Sequence, residues 1–384
     1  MNGMVAQIHS IPELIRGVVQ SYDESVRNTL DHMLCLSAKR VYLTGCGDSH
    51  HASLGAELAF EKLAGLPTEA LTALQFARYA AEYMPKSEPG TNLVIGTSVS
   101  GEVSRTLEAL LAGRRGGATT IAMTATPTSR VARAAELMVD TTQPAFQDPP
   151  GVHIPGVRSY VANQIGLLLV AIRLGEVRGH ISSAEAENLR KEIGKLADAA
   201  EKTSENTDKT SEQLAKDWKD ATEFVFVGGG PNFASALFSA AKVLEASGDP
   251  AMGQDTEEWA HLQYFARAVN TPTFLIGSGG RDASRMAEVA VACQQIGRRT
   301  AAVVPASATA ITEHADCVLP LAENMLEMFA PVISAIPGSL FAAYRADVIG
   351  EPFFRNFTGG RSQEGGGGIS RIRTSETIGL EMLD

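Results

Sequence analysis

Cysteine is scarce: the 384 residues hold four, Cys35, Cys46, Cys293 and Cys317. None form a CxxC pair or any zinc-type spacing, so neither a disulfide framework nor a structural metal is indicated, and a reducing cytosol is the expected compartment. Basic charge is also short. Lys and Arg number 33 against 44 Asp and Glu, a formal charge of -11, and no basic recognition helix or patch stands out, which argues against a nucleic-acid partner. An anionic ligand would need local donors: backbone N–H groups, hydroxyls and helix N-termini. The apolar stretch "MFAPVISAIPGSLFAAY" is broken by Pro331 and Pro337 and falls short of the roughly 18 to 20 residues of a membrane span. The start "MNGMVAQIHSIPELIRG" has no basic residues ahead of an apolar run, so no secretory signal and no membrane partner are expected. Aromatics make up 6% against 44% hydrophobic residues, the balance of an alanine-rich α/β protein.

What is present is a duplication. "VYLTGCGDSHHASLGAELAFEKLAG" returns in outline as "FVFVGGGPNFASALFSAAKVLEASG", and two further strand-and-helix stretches recur at the same offset of about 180 residues. Apolar strands alternating with helical patterns predict two parallel sheets flanked by helices, a three-layer α/β/α arrangement in tandem. The expected divisions are an N-terminal helical segment over 1–40, a first domain over 41–178, a helical connector over 179–221, a second domain over 222–350 and a tail over 351–384. The tail is glycine-rich, which fits a mobile loop or a segment that closes over a site.

Three stretches carry candidate chemistry. In "TGCGDSHHAS", Gly45 and Gly47 let backbone N–H groups approach a ligand, while Asp48 and Ser49 offer side-chain partners. In "TSVSGEVSRT", Ser98 and Ser100 are expected to meet at the N-terminus of a helix whose buried stripe is Val103, Leu107, Leu110 and Leu111, with Gly101 allowing close approach. Capping and anion anchoring are both open readings of those serines. In "NFASALFSAAKVLEAS", a stripe of Phe233, Leu237, Ala240, Ala241 and Leu244 would leave Lys242 and Glu245 together on one side, three residues apart. Taken alone, such a pair reads as a solvated ion pair, and His261 beside Trp259 as structural. His50 and His51 point apart on a helix and lack the companions of a metal site. The turns "GCGDSH" and "GGGPNF" put His50 and Phe233 where a nicotinamide-binding fingerprint has its third glycine, which disfavours a dinucleotide enzyme.

The strings "CGDS" and "SVSGE" and the duplicated sheet resemble the sugar isomerase (SIS) family, especially the isomerase half of glucosamine-6-phosphate synthase and the ketosamine-phosphate deglycases. The resemblance covers roughly residues 30 to 350. It implies that Ser98, Val99 (through its N–H), Ser100 and Gly101 hold a sugar's phosphate and that Cys46, Gly47, Asp48 and Ser49 contact the sugar. Ser159 resembles the small hydroxyl that follows the third strand region in relatives. The resemblance places Glu245 as general base, Lys242 as the cation that tunes it, and His261 as the group that opens the ring or protonates a leaving amine; Glu258 is a candidate to orient that ring. A carboxylate can remove a proton beside a carbonyl and return it to the neighbouring carbon, so no cofactor and no metal is needed.

There are departures from the family pattern. The synthase loop reads Ser-Gln-Ser-Gly-Glu-Thr, and Val99 and Val103 here remove two side-chain hydrogen bonds to phosphate. No lysine follows Lys242, so the imine-forming tail lysine of the synthase has no counterpart; Arg355 and Arg361 stand in that region and stay protonated. Only about forty residues precede the first sheet, so use of glutamine-derived ammonia is not expected. The implied reaction is isomerisation or deglycation of a phosphorylated ketosamine or amino sugar. A plain sugar-phosphate isomerase and a nonenzymatic sugar-phosphate-binding regulator are the alternatives. The family further implies a homodimer with the active site near the subunit interface.

Overall fold

The computed structural model describes residues 2–86, 90–148, 152–362 and 372–375. The chain forms two compact units. One gathers Leu14–Ala145, Ser159–Gly194 and the stretch from Phe357; the other gathers Met1–Glu13, Phe146–Arg158 and Lys195–Asn356. Segment 1–40 is therefore shared between units, and so is the connector region, most of which is one 35-residue helix, Ser183–Asp217.

The first unit contains strands β1 (Arg40–Gly45), β2 (Thr68–Thr72), β3 (Asn92–Thr97), β4 (Thr119–Thr124) and β5 (Leu137–Asp140), all parallel in the order β2-β1-β3-β4-β5. The second contains β6 (Phe224–Gly228), β7 (Ala251–Asp255), β8 (Thr273–Ile276), β9 (Thr300–Val303) and β10 (Cys317–Val318), in the order β10-β9-β8-β6-β7. Read from its other edge, the second order is that of the first. Strands β3, β6 and β8 are buried at every position, because helices cover both faces of a parallel sheet. One core of the first unit packs Tyr42, Phe76, Val94, Leu110 and Val131; one in the second packs Val225, Trp259, Leu275, Met286 and Cys293. The opposite face of the second sheet carries an aromatic cluster in which Phe226 and Phe274 stack at 4.5 Å and Phe341 meets Phe274 edge-on at 4.8 Å.

Both turns after the first strand of each sheet repeat one geometry. Gly47 precedes the helix Asp48–Ala59 with φ 55° and ψ -126°, and Gly230 precedes the helix Pro231–Ala246 with φ 51° and ψ -128°.

Three sequence expectations need correction. First, two helical stretches, Arg158–Val177 and Pro331–Ile349, do have the length and apolar character of a span; 89% and 78% of their apolar windows lie buried inside the protein, as in core helices. Second, the helix Ser104–Arg115 turns Thr106, Ala109, Leu110 and Gly113 inward, while Val103, Leu107 and Leu111 are only half-buried. Third, the helix Pro231–Ala246 buries Ala234, Phe238, Lys242 and Val243; of the expected stripe only Ala240 is buried, Phe233, Leu237 and Ala241 are half-buried, and Leu244 is 48% exposed. Small residues account for this: Ala, Ser and Gly let a helix be covered on several sides, so the large apolar side chains no longer mark one inward face.

Candidate functional site

The strand order of the first sheet reverses between β1 and β3, and in open parallel sheets ligands lie outside the carboxyl ends of the strands at that point. The two motifs predicted from the sequence sit there. Gly45 pairs with Thr97 across the last rung, so the turn Cys46–Ser49 and the loop Ser98–Gly101 emerge side by side. Thr106 Oγ1 lies 3.9 Å from Cys46 Sγ and ties the turn to the helix after the loop. Ser49 is buried and its Oγ accepts from Asn163 Nδ2 at 3.4 Å. Ser159 is the second residue of the helix that carries Asn163, one turn earlier on the same face. It follows β5 rather than the third strand, because the chain makes two more strands and a long connection before that helix starts.

The serine loop does not cap its helix. Val103 holds the N-cap position and Ser104 begins the helix, so Ser98 and Ser100 lie ahead of it. Ser100 is exposed and its Oγ accepts from the Glu102 amide at 3.3 Å. Ser98 is 2% exposed and its hydroxyl has no hydrogen-bond partner among the described residues. A buried hydroxyl left in that state costs about 1 to 3 kcal/mol, and an incoming acceptor such as an anion would recover it. The loop is braced from β4: Val99 C=O accepts from Ala125 N, Thr124 Oγ1 and Thr126 Oγ1, each at 3.3 Å, and Gly101 C=O accepts from Val131 N at 2.9 Å. Gly101 has φ 66°, and a Cβ there would stand 1.9 Å from Ser129 Oγ, so only glycine fits. Of the tail, 363–371 and 376–384 lie outside the described residues. Thr374 and Ser375 rest on this unit, their carbonyls accepting from Arg130 Nη1 at 3.5 Å and from Ser104 Oγ.

His50 and His51, neighbours of that turn, have ring centroids 6.2 Å apart. Burial pushes the His50 imidazole down to about 4, with the His51 charge adding to the effect, so His50 is neutral at physiological pH.

In the second unit, Lys242 is fully buried and its Nζ contacts Glu245 Oε2 at 2.5 Å; the carboxylate side chain is 24% exposed. Phe238, one turn earlier, lays its ring 4.7 Å from the ammonium. This is not the solvated surface pair that i,i+3 spacing suggests by itself. A buried cation holding a partly open carboxylate keeps an acid–base group in one place while leaving it reachable. His261 ends the short helix Thr256–His261, with a side chain 65% exposed. Its Nε2 is 2.9 Å from Glu257 Oε1, and Glu257 is held in turn by Arg285 Nε at 2.6 Å. The orienting carboxylate is thus Glu257, four residues back, and not Glu258; the helical i,i+4 rule carried that signal.

Residues 35–163 match the SIS domain family. The chain is 26% identical over 347 residues to glutamine–fructose-6-phosphate aminotransferase [isomerizing] of Gloeobacter violaceus, covering 89% of this chain and 55% of that protein. It is 27% identical over 359 residues to the same-named protein of Bradyrhizobium diazoefficiens, covering 90% and 56%. The chain spans about half the length of these curated relatives. Among solved structures, the C-terminal domain of glucosamine-fructose-6-phosphate aminotransferase from Francisella tularensis superposes with a TM-score of 0.79 at 18% identity, over 91% of this chain and 97% of that one. Glucosamine-6-phosphate deaminase of Thermotoga maritima gives 0.67 at 17%, over 91% and 96%.

The matched SIS domain holds the loop with the orphaned hydroxyl; the corresponding place in the second sheet is filled from within. Where β6 and β8 leave the sheet, Asp282 Oδ2 accepts the Gly229 amide at 3.1 Å, so a carboxylate of the chain takes the backbone donor that an anion would use. Burial pushes Asp282 up to about 6 from 3.8, with Glu327 and Asp255 adding to the rise and the Gly229 amide opposing it. A carboxyl raised on folding disfavours the folded state once ionised. That penalty is absent below pH 3.8, grows through the interval and is complete above about 6, reaching at most ~3 kcal/mol. Asp282→Asn keeps an acceptor for Gly229, so it is expected to raise the urea midpoint at pH 7.5 and leave it unchanged near pH 3.5. An equal change at both pH values would contradict this account.

Proposed function

We propose that the protein is a phosphosugar isomerase or deglycase acting on a phosphorylated ketosamine or amino sugar. The SIS-domain loop Ser98–Gly101 holds the phosphate, with the Ser98 hydroxyl and the loop amides as donors, and Cys46, Gly47, Asp48 and Ser49 meet the sugar, with Ser159 one turn from the partner of Ser49. Glu245 removes the proton from the carbon beside the carbonyl, and Lys242 holds that carboxylate while it does so. The proton returns to the former carbonyl carbon. In a ketosamine, with the N–H proton passing to the carbonyl oxygen, this turns the ketone into an imine of the aldose with a neighbouring hydroxyl; water adds to the imine carbon, and the amine leaves carrying a proton from His261 as the aldehyde forms. In a sugar without the amine the same transfer interconverts aldose and ketose.

The observation that carries the reading is the fully buried Lys242 ammonium on the part-open Glu245 carboxylate. The names of the relatives and of the solved neighbours agree with it, since they put fructose-6-phosphate and glucosamine-6-phosphate among their substrates. The protein acts as a homodimer in this reading, with the exposed Leu262 and Phe265 beside His261 covered by the second copy. A panel of ketosamine phosphates, amino-sugar phosphates and plain ketose phosphates tests it: released amine from the first class is the expected result. Isomerised product without amine release would select the plain isomerase, and no turnover of any class would select a binding protein.

A further inference from the structure

Glu245 stands in the last turn of its helix, where backbone carbonyls lack intrahelical donors and the chain frays most readily. Four carbonyls are in that position here. Val243 C=O takes the amides of Ser247 at 2.9 Å and Gly248 at 3.1 Å. The other three go to a single side chain from more than a hundred residues away: Arg355 donates from Nη1 to Leu244 O at 3.2 Å, and from Nη2 to Glu245 O at 2.5 Å and Ala246 O at 2.9 Å. A guanidinium also suits the negative end of the helix dipole.

Two features show that the contact is built. Gly248 has φ 77°, and a Cβ on it would lie 1.9 Å from Arg355 Nη1, so a glycine makes room for the guanidinium. Arg355 itself sits in a run of four non-glycine residues in the left-handed region, Phe354 (φ 52°), Arg355 (53°), Asn356 (50°) and Phe357 (48°). Each is disfavoured for an L-residue, and such a run persists only where its surroundings hold it.

We infer that Arg355 is a positioning residue for the general base: it locks the last turn of the helix Pro231–Ala246 so that Glu245 keeps its place on Lys242. The inference rests on the reading of Glu245 as base. The task differs from the imine formation of a tail lysine: the guanidinium, always protonated, presents its donors in a planar fork that reaches Leu244, Glu245 and Ala246 together.

The test uses the full chain with a substrate turned over in the panel above. Arg355→Ala is expected to lower kcat about 100-fold through misplacement of the base while KM stays within about twofold. Amide exchange at Ser247 and Gly248 should quicken in parallel. Millimolar guanidinium chloride should restore both, equal sodium chloride neither, and Arg355→Lys should behave like the alanine variant. Gly248→Ala, which evicts the guanidinium without altering it, should reproduce the kcat loss. Wild-type kcat in Arg355→Ala, or a loss that guanidinium does not restore, overturns the positioning role. Glu245→Gln is run beside it: full turnover there removes the base assignment itself, whereas an inactive Glu245→Gln with a fully active Arg355→Ala rejects the positioning role alone.

Discussion

Glu245→Gln is expected to lower turnover by about 10³-fold, with substrate binding changed little, since general-base contributions run from about 10² to 10⁴. Glutamine keeps the shape of the side chain and can still face Lys242 through its amide oxygen, so the loss reports the missing base and not a collapsed site. Lys242→Met is the informative companion. It fills much of the same buried volume but leaves the carboxylate without the cation it now touches at 2.5 Å. Turnover should fall there too, and the pH at which activity rises should move upward, because a part-buried carboxylate that has lost its buried cation protonates more easily. Retained activity in Glu245→Gln would place the base elsewhere.

Ser98→Ala is expected to move stability and binding in opposite directions. In the ligand-free protein it removes a buried hydroxyl that has no partner among the described residues, so stability should hold or rise by about 1 kcal/mol. Affinity for a sugar phosphate should fall at least about tenfold, the size of one charge-assisted hydrogen bond. A purely structural serine would lose stability and leave affinity alone. Gly101→Ala should cost both. Its Cβ would collide with Ser129, whose Oγ caps the next helix by accepting from Ala132 N at 3.3 Å, and its φ is unfavourable for alanine. Together these amount to about 2 to 4 kcal/mol. Equilibrium unfolding and phosphate titration on the two variants separate the cases.

The sheets and the glycine turns after them were readable from the chain, because uninterrupted apolar strands followed by Gly are a local signal that packing does not override. The duplication was legible for the same reason, and Gly47 and Gly230 share one backbone geometry. Side-chain burial was not. Helical periodicity misplaced the inward faces of Ser104–Arg115 and Pro231–Ala246, since alanine and serine pack as closely as leucine does where helices are covered on several sides. The burial of Lys242 was hidden for that reason, although its spacing to Glu245 was visible. Asp282 and Arg355 act across 53 and more than a hundred residues, and no local pattern announces a carboxylate on a distant glycine amide or a guanidinium on a distant helix end. The partner of His261 could have been found, as Glu257 lies one helical turn away.

Solvent deuterium incorporation is the most direct measurement of the central claim. Incubated in D₂O with a phosphorylated ketosamine, the wild-type protein should place deuterium on the carbon to which the proton is returned, visible by proton NMR in recovered substrate and product. Product formed with no deuterium at that carbon and none in the recovered substrate would contradict proton transfer through a solvent-exchanging carboxylate, and with it the role assigned to Glu245.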